Sequence, residues 1–153
     1  MHKFLLLLLL VSCGIDRTTN SISSKETGIF NAYLKLDNSH QLQIASKDEP
    51  GEQLTLCLTF IEKASEKPVK NRKVHFYHTD TNGNYDPVIS SDESTARLSG
   101  SALTNHEGRI LVETILPGDY GSASDNRHIH TNVTGASPEA YDIHFKQFTS
   151  MMG

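Results

Sequence analysis

His128-Ile129-His130 sets two side chains of metal-ligating type at a useful spacing. In an extended strand, residues i and i+2 project from the same face, so both imidazoles reach one ion. On a solvated strand the same pair is ordinary polar surface, and the tripeptide alone leaves both readings open. The other histidines carry less. His75 and His78 flank Tyr77 in a β-rich run and read as surface residues, His106 falls among turn-formers, and His144 takes the polar side of the last strand candidate. Cys57 lies in an apolar-alternating stretch and reads as a buried, inert thiol.

The elements that must hold such residues alternate with period two, and long apolar stripes at helical spacing are lacking. Gln53 to Ile61 puts Leu54, Leu56, Leu58 and Phe60 on one face. Lys73 to His78 runs into the turn-formers Asp80-Thr81-Asn82-Gly83-Asn84. Arg109 to Ile115 alternates again, before Leu116-Pro117-Gly118. His128 to Thr134 and Tyr141 to Phe148 are separated by Gly135-Ala136-Ser137-Pro138. Ile29 to Leu36 with Gln41 to Ala45 is expected to add an N-terminal hairpin, and Asp92 to Leu98 a short helical turn. Short strands between turn signals imply an all-β, antiparallel sandwich of immunoglobulin-like or transthyretin-like type.

Several of these segments resemble one family. Val74-His75-Phe76-Tyr77-His78-Thr79-Asp80-Thr81-Asn82-Gly83-Asn84-Tyr85-Asp86 is similar, without a gap, to the stretch of intradiol ring-cleavage dioxygenases that ends in their first iron-ligating Tyr. Leu103 to Ile110, then Thr114-Ile115-Leu116-Pro117-Gly118-Asp119-Tyr120, resembles their turn, strand and Pro-Gly-x-Tyr segment. His128 and His130 fall at the closing His-x-His, and Glu66-Lys67-Pro68-Val69-Lys70-Asn71 resembles the family's usual upstream turn. The resemblance covers about Leu54 to Phe148.

It implies a ferric site with Tyr85, Tyr120, His128 and His130 as ligands. Fe(III) is a hard cation, suited by two phenolates and two imidazoles. A tyrosine titrates near pH 10, so coordination must drive its deprotonation. The resemblance further implies a catechol-type substrate bound through both oxygens, with Tyr120 leaving and acting as base, and O2 cleavage between the hydroxylated carbons to a muconate-type diacid. A two-His, one-carboxylate set is not evident, and Asp86 and Asp125 have no family precedent as ligands.

The chain also departs from the family. Tyr77 stands where a Trp is usual, and Asp125 stands where an Arg helps to stabilise charge on the substrate. Arg127 is the nearest substitute, and it enters the pocket only through a bulge or bend; on a regular strand it faces away. Gln147 lines the pocket if the last strand keeps the family register. These departures keep a second reading open, a non-catalytic cell-surface binding module on the same scaffold. A third loads the pocket with Zn(II) or Cu(II).

The N-terminus reads as an address. Lys3 precedes an unbroken apolar run from Phe4 to Val11, too short to span a bilayer but suited to a signal peptide. Leu10-Val11-Ser12-Cys13-Gly14 resembles a bacterial lipobox, in which Cys13 is lipidated. Residues 1–13 are therefore expected to be the lipoprotein signal, 14–28 a flexible tether and 29–153 the sandwich domain, exported to the bacterial cell envelope and anchored to a membrane. With Cys13 committed, Cys57 has no disulfide partner. A net charge of −4 over 153 residues offers no footprint for nucleic acid.

Overall fold

The computed structural model describes residues 11–12, 23–121 and 125–145. Cys13, Gln147 and Ser122-Ala123-Ser124 lie outside the described residues. The strands are β1 (Val11–Ser12), β2 (Gln41–Gln43), β3 (Gln53–Thr59), β4 (Lys73–His78), β5 (Leu98–Leu103), β6 (Arg109–Ile115), β7 (Arg127–Val133) and β8 (Ala140–Phe145). They form two four-stranded sheets in the orders β1-β3-β6-β2 and β5-β4-β7-β8. The expected all-β sandwich is what the chain forms.

The core follows from alternation. Leu56 and Leu58 of β3, Val74 and Phe76 of β4, Ile110 and Val112 of β6, Ile129 and Val133 of β7 and Ile143 of β8 meet between the sheets, with Phe60 just beyond β3. Phe60 and Phe76 are fully buried edge to face, ring centroids 6.4 Å apart. Replacing either by Ala would cost about 3–5 kcal/mol.

Three expectations need correction. The segment from Ile29 to Leu36 is not one arm of a hairpin: helix α1 spans Ser24–Leu34, so the last residues assigned to the tether are helical too. Ser23 and Glu26 form a reciprocal capping box that satisfies the first turn. Phe30, Tyr33 and Leu36, three residues apart, then cover Cys57 and Leu111 on the outer face of the first sheet. Cys57 and Leu111 make a small apolar patch on that otherwise polar face, and the helix takes it out of water. Cys57 is accordingly buried, as expected.

The second correction is that β2 pairs with β6 in parallel, Gln41 opposite Leu111, so the sandwich is not wholly antiparallel. The third is β5, a strand of small and polar residues that pairs antiparallel with β4. The helical turn expected before it is a short 3-10 turn, Glu93–Thr95, capped by the Asp92 side chain. No helix among the described residues is long and apolar enough to cross a membrane.

Candidate metal centre

The outer face of the second sheet carries the polar residues of three adjacent strands. Val74, Phe76 and His78 of β4 point into the core, which leaves His75 and Tyr77 outside. Likewise Ile129, Thr131 and Val133 of β7 point inward, and His128 and His130 outward. Tyr77 pairs with His130 in register, and their rings stack at 4.5 Å. The aromatic ring at the position of the family's Trp is thus the wall against which His130 rests. On the far side β8 sets Asp142 opposite His130 and His144 opposite His128.

Two loops complete the site by packing backbone on backbone. Gly83 has φ +83°, and a Cβ there would lie 2.1 Å from the Asp119 carbonyl oxygen. A Cβ on Gly118 would meet the Thr81 carbonyl oxygen at 2.4 Å. The Gly118 amide donates to the Asp80 carbonyl, and the Thr79 hydroxyl donates to Gly118 O. The Asp80 carboxylate accepts from the amides of Asn82 and Asn84, folding the turn that delivers Tyr85. Burial works to raise the Asp80 pKa, but those donors outweigh it and hold the group below the usual carboxylate range. This apposition brings the Tyr85 and Tyr120 rings together edge to face, centroids 5.2 Å apart.

Three of the four expected ligands converge. The Tyr85 hydroxyl lies 2.8 Å from His130 Nε2, and His128 Nε2 lies 3.0 Å from the same atom. The other nitrogen of each imidazole is already committed. His128 Nδ1–H donates to the Asn126 carbonyl at 3.0 Å, and His130 Nδ1–H donates to Asp142 Oδ1 at 2.7 Å. A carbonyl oxygen only accepts, so the His128 proton belongs on Nδ1, and its Nε2 presents a bare lone pair. Neutral His130 is in the same state. Two lone pairs facing each other at 3.0 Å repel unless a proton or a cation lies near both. Tyr85 is buried, and burial together with the Glu93 charge pushes its phenol well above the ordinary tyrosine value. It ionises only against a positive charge.

Tyr120 stands apart. It is 41% exposed, and its hydroxyl donates to Glu93 Oε1 at 3.1 Å instead of turning to the imidazoles. That hydrogen bond, and the Glu93 charge with it, raise the phenol's pKa. Arg127 does not join the cluster. The β7–β8 ladder runs unbroken from Arg127 through Asn132, with no bulge to redirect the side chain. By alternation Arg127 leaves the opposite face from His128. Its buried Nε makes no hydrogen bond and lies 3.7 Å from Asp119 Oδ2. Arg127, expected at the substrate, is thus directed away from His128 and His130. Asp125 is exposed beside the strand entry.

Four residues matter here that sequence reasoning passed over. Asp142 orients His130. Asp119 accepts from the Asn126 amide at 2.9 Å, and Asn126 in turn receives the His128 proton. Glu93 holds Tyr120. A hairpin centred on Ala136 pairs His130 with Asp142 by simple counting, so that partner was within reach; the other three depend on loop geometry. His75 and His78 also differ from expectation. His78 is fully buried, its Nε2 accepting from the Thr114 hydroxyl, and His75 ties the sheet to the 3-10 turn through Ser94 O. Among the described residues no three His, Cys, Asp or Glu side chains gather as a metal cluster; the assembled set is two imidazoles and a phenol.

Comparison with known proteins finds similarity to dioxygenases. A family model described as Dioxygenase matches residues 26–152. Catechol 1,2-dioxygenase of Acinetobacter baylyi is 36% identical over 75 residues, 48% of this chain and 24% of that enzyme. The match thus spans about a quarter of that curated relative's length. The intradiol ring-cleavage dioxygenase from Tetranychus urticae superposes with a TM-score of 0.55 at 27% identity, covering 71% of this chain and 58% of the other. The dioxygenase domain of a carbohydrate-binding fusion protein from Streptomyces sp. SirexAA-E shares the fold at a TM-score of 0.53 and 23% identity, covering 72% of this chain and 68% of that domain.

Proposed function

The chain belongs to the intradiol ring-cleavage dioxygenase family, and we propose that it binds Fe(III) through Tyr85, Tyr120, His128 and His130 and uses O2 to cleave a catechol-type ring between its two hydroxylated carbons. The product is a muconate-type diacid. The observation that carries this reading is the 3.0 Å approach of two proton-free Nε2 atoms, with the Tyr85 hydroxyl 2.8 Å from one of them.

The donor set fits the ion. His128 Nε2 and His130 Nε2 lie 3.0 Å apart, close enough for one cation to be held by both. Both imidazoles are held through Nδ1, one by a backbone carbonyl and one by a carboxylate, the usual second partners of metal-binding histidines. A buried phenol that resists ionisation needs a strong positive charge to become a phenolate, which ferric iron provides. Bound there, ferric iron would chelate a catechol through both oxygens and draw electron density from the ring, opening it to O2.

The protein's own groups divide the remaining work. Tyr85 and His130 are packed against Tyr77 and braced by Asp142, so they keep their places through turnover. His128 is fixed by Asn126. Tyr120 is exposed and already shares its hydroxyl with Glu93, which suits the ligand that leaves, its Oη taking a catechol proton. Proton transfer to a positioned phenolate is worth about 10²–10⁴-fold in rate. We propose further that the protein is exported and anchored through a lipid on Cys13.

A visible spectrum of the purified protein, taken with its total metal content, tests the site. Tyrosinate-to-iron charge transfer is expected to give a red colour that weakens in Tyr85→Phe, with O2 uptake on adding catechols. A protein that stays colourless after loading with ferric iron would overturn the assignment.

A further inference from the structure

The charges around the cluster carry information about the substrate that the ligands do not. Glu93 is exposed at the mouth of the site, with its carboxylate 3.1 Å from Tyr120 Oη. The turn that carries it is held from below. Asp92 Oδ1 accepts from the Ser94 amide and hydroxyl at 3.0 and 2.6 Å, and His75 Nε2–H donates to Ser94 O at 2.8 Å. With Nε2 spent on that carbonyl, His75 Nδ1 accepts from the Ser101 hydroxyl. The turn is therefore tied to β4 and β5, and it presents the Glu93 side chain beside Tyr120. On the other flank Asp142, 42% exposed, braces His130. The Glu93 and Asp142 charges both reach Tyr77 and Tyr85, where each adds to the upward push on the phenols.

Among the described residues, neither nearby guanidinium answers these carboxylates. Arg97 is engaged by both oxygens of Glu49 at 2.8 and 2.9 Å. Arg127 leaves the opposite face of β7, toward Asp119. A ring substituent that approaches Tyr120 on the side of the turn would thus meet the Glu93 carboxylate.

We infer that the substrate of this site is a catechol bearing an ammonium group on its ring substituent, and that Glu93, set beside Tyr120 by the pinned Glu93–Thr95 turn, is the residue that favours it over a carboxylated catechol. This rests on the catechol reading above. Attraction on one side and repulsion on the other, both at an exposed site, amount to roughly tenfold discrimination. Because the pair is exposed, that discrimination shrinks with salt.

The test is equilibrium binding without O2, so that nothing turns over. The full ferric-loaded chain is titrated with methyl-, aminoethyl- and carboxyl-substituted catechol, followed by its visible spectrum and by calorimetry, at low and high salt. The aminoethyl form is expected to bind roughly tenfold tighter than the carboxyl form, with the methyl form between them. Glu93→Gln, which keeps an acceptor for Tyr120, and high salt should each cut the ratio several-fold, and Glu93→Lys should reverse the order. A carboxyl form that binds as tightly as the aminoethyl form, or a ratio unmoved by both salt and Glu93→Gln, overturns the inference while leaving the dioxygenase reading intact. Absence of binding by all three catechols defeats that reading, and this inference with it.

Discussion

Asp142 accepts the Nδ1 proton of His130 at 2.7 Å from the directly opposite position on the neighbouring strand. The register of one hairpin thereby decides which nitrogen of His130 faces Tyr85 and His128. A carboxylate in this position fixes the tautomer and the orientation of the ring.

Asp142→Asn keeps an acceptor but removes the charge. We expect ferric-iron affinity to fall about 10–100-fold with the fold unchanged, read by competition with a chelator alongside circular dichroism. Unchanged affinity would mean that the contact is only a surface pair.

Gly83→Ala tests the apposition of the two loops. The new methyl group would collide with the Asp119 carbonyl, and the backbone there has φ +83°. We expect a loss of roughly 2–4 kcal/mol in urea unfolding and a weakened visible band, because Tyr85 and Tyr120 are delivered by the loops that must part. Wild-type stability in this variant would show that the loops are free to separate.

His78 makes stability pH-dependent. Burial lowers its pKa from the ordinary 6.5, although the Thr79 carbonyl pulls the other way. Protonation thus favours the unfolded chain. The contribution is complete above about pH 6.5 and is lost as pH falls through that value toward the lower folded-state pKa. Urea midpoints should decline on the acid side, and His78→Leu should flatten that decline while lowering stability at neutral pH by about 2 kcal/mol, since the Thr114 hydroxyl loses its acceptor. An identical acid slope in the variant would assign the effect to other groups.

Cys13→Ser should abolish both a lipid-sized mass increment on the N-terminal peptide and recovery in the membrane fraction. Membrane association that survives the substitution would rule out the anchor.

Much of this was written in the chain at the level of single strands. The alternation in β3, β6 and β7 named the core residues and set His128 and His130 on one face. Even the burial of His78 follows from its parity with Val74 and Phe76. Helix α1 was harder. Its capping box lies in a polar stretch, Gly28 lowers its propensity by about 1 kcal/mol, and its reason for folding is an apolar patch on the far side of a distant sheet. β5 is Leu-Ser-Gly-Ser-Ala-Leu, a run without a β-branched residue, and it becomes a strand because β4 offers it an edge. Glu93 and Asp119 look like solvated charges until loop packing shows what each one holds.

The two faces of β7 are separate assignments. Ile129, Thr131 and Val133 answer to the sandwich interior, and His128 and His130 answer to the chemistry outside it. Parity keeps the two from interfering, so a lineage can rewrite the outward positions, change the metal or abandon it, and inherit the same architecture. Shape in this protein is therefore a poor witness to activity, and the outward positions of a single strand are the better one.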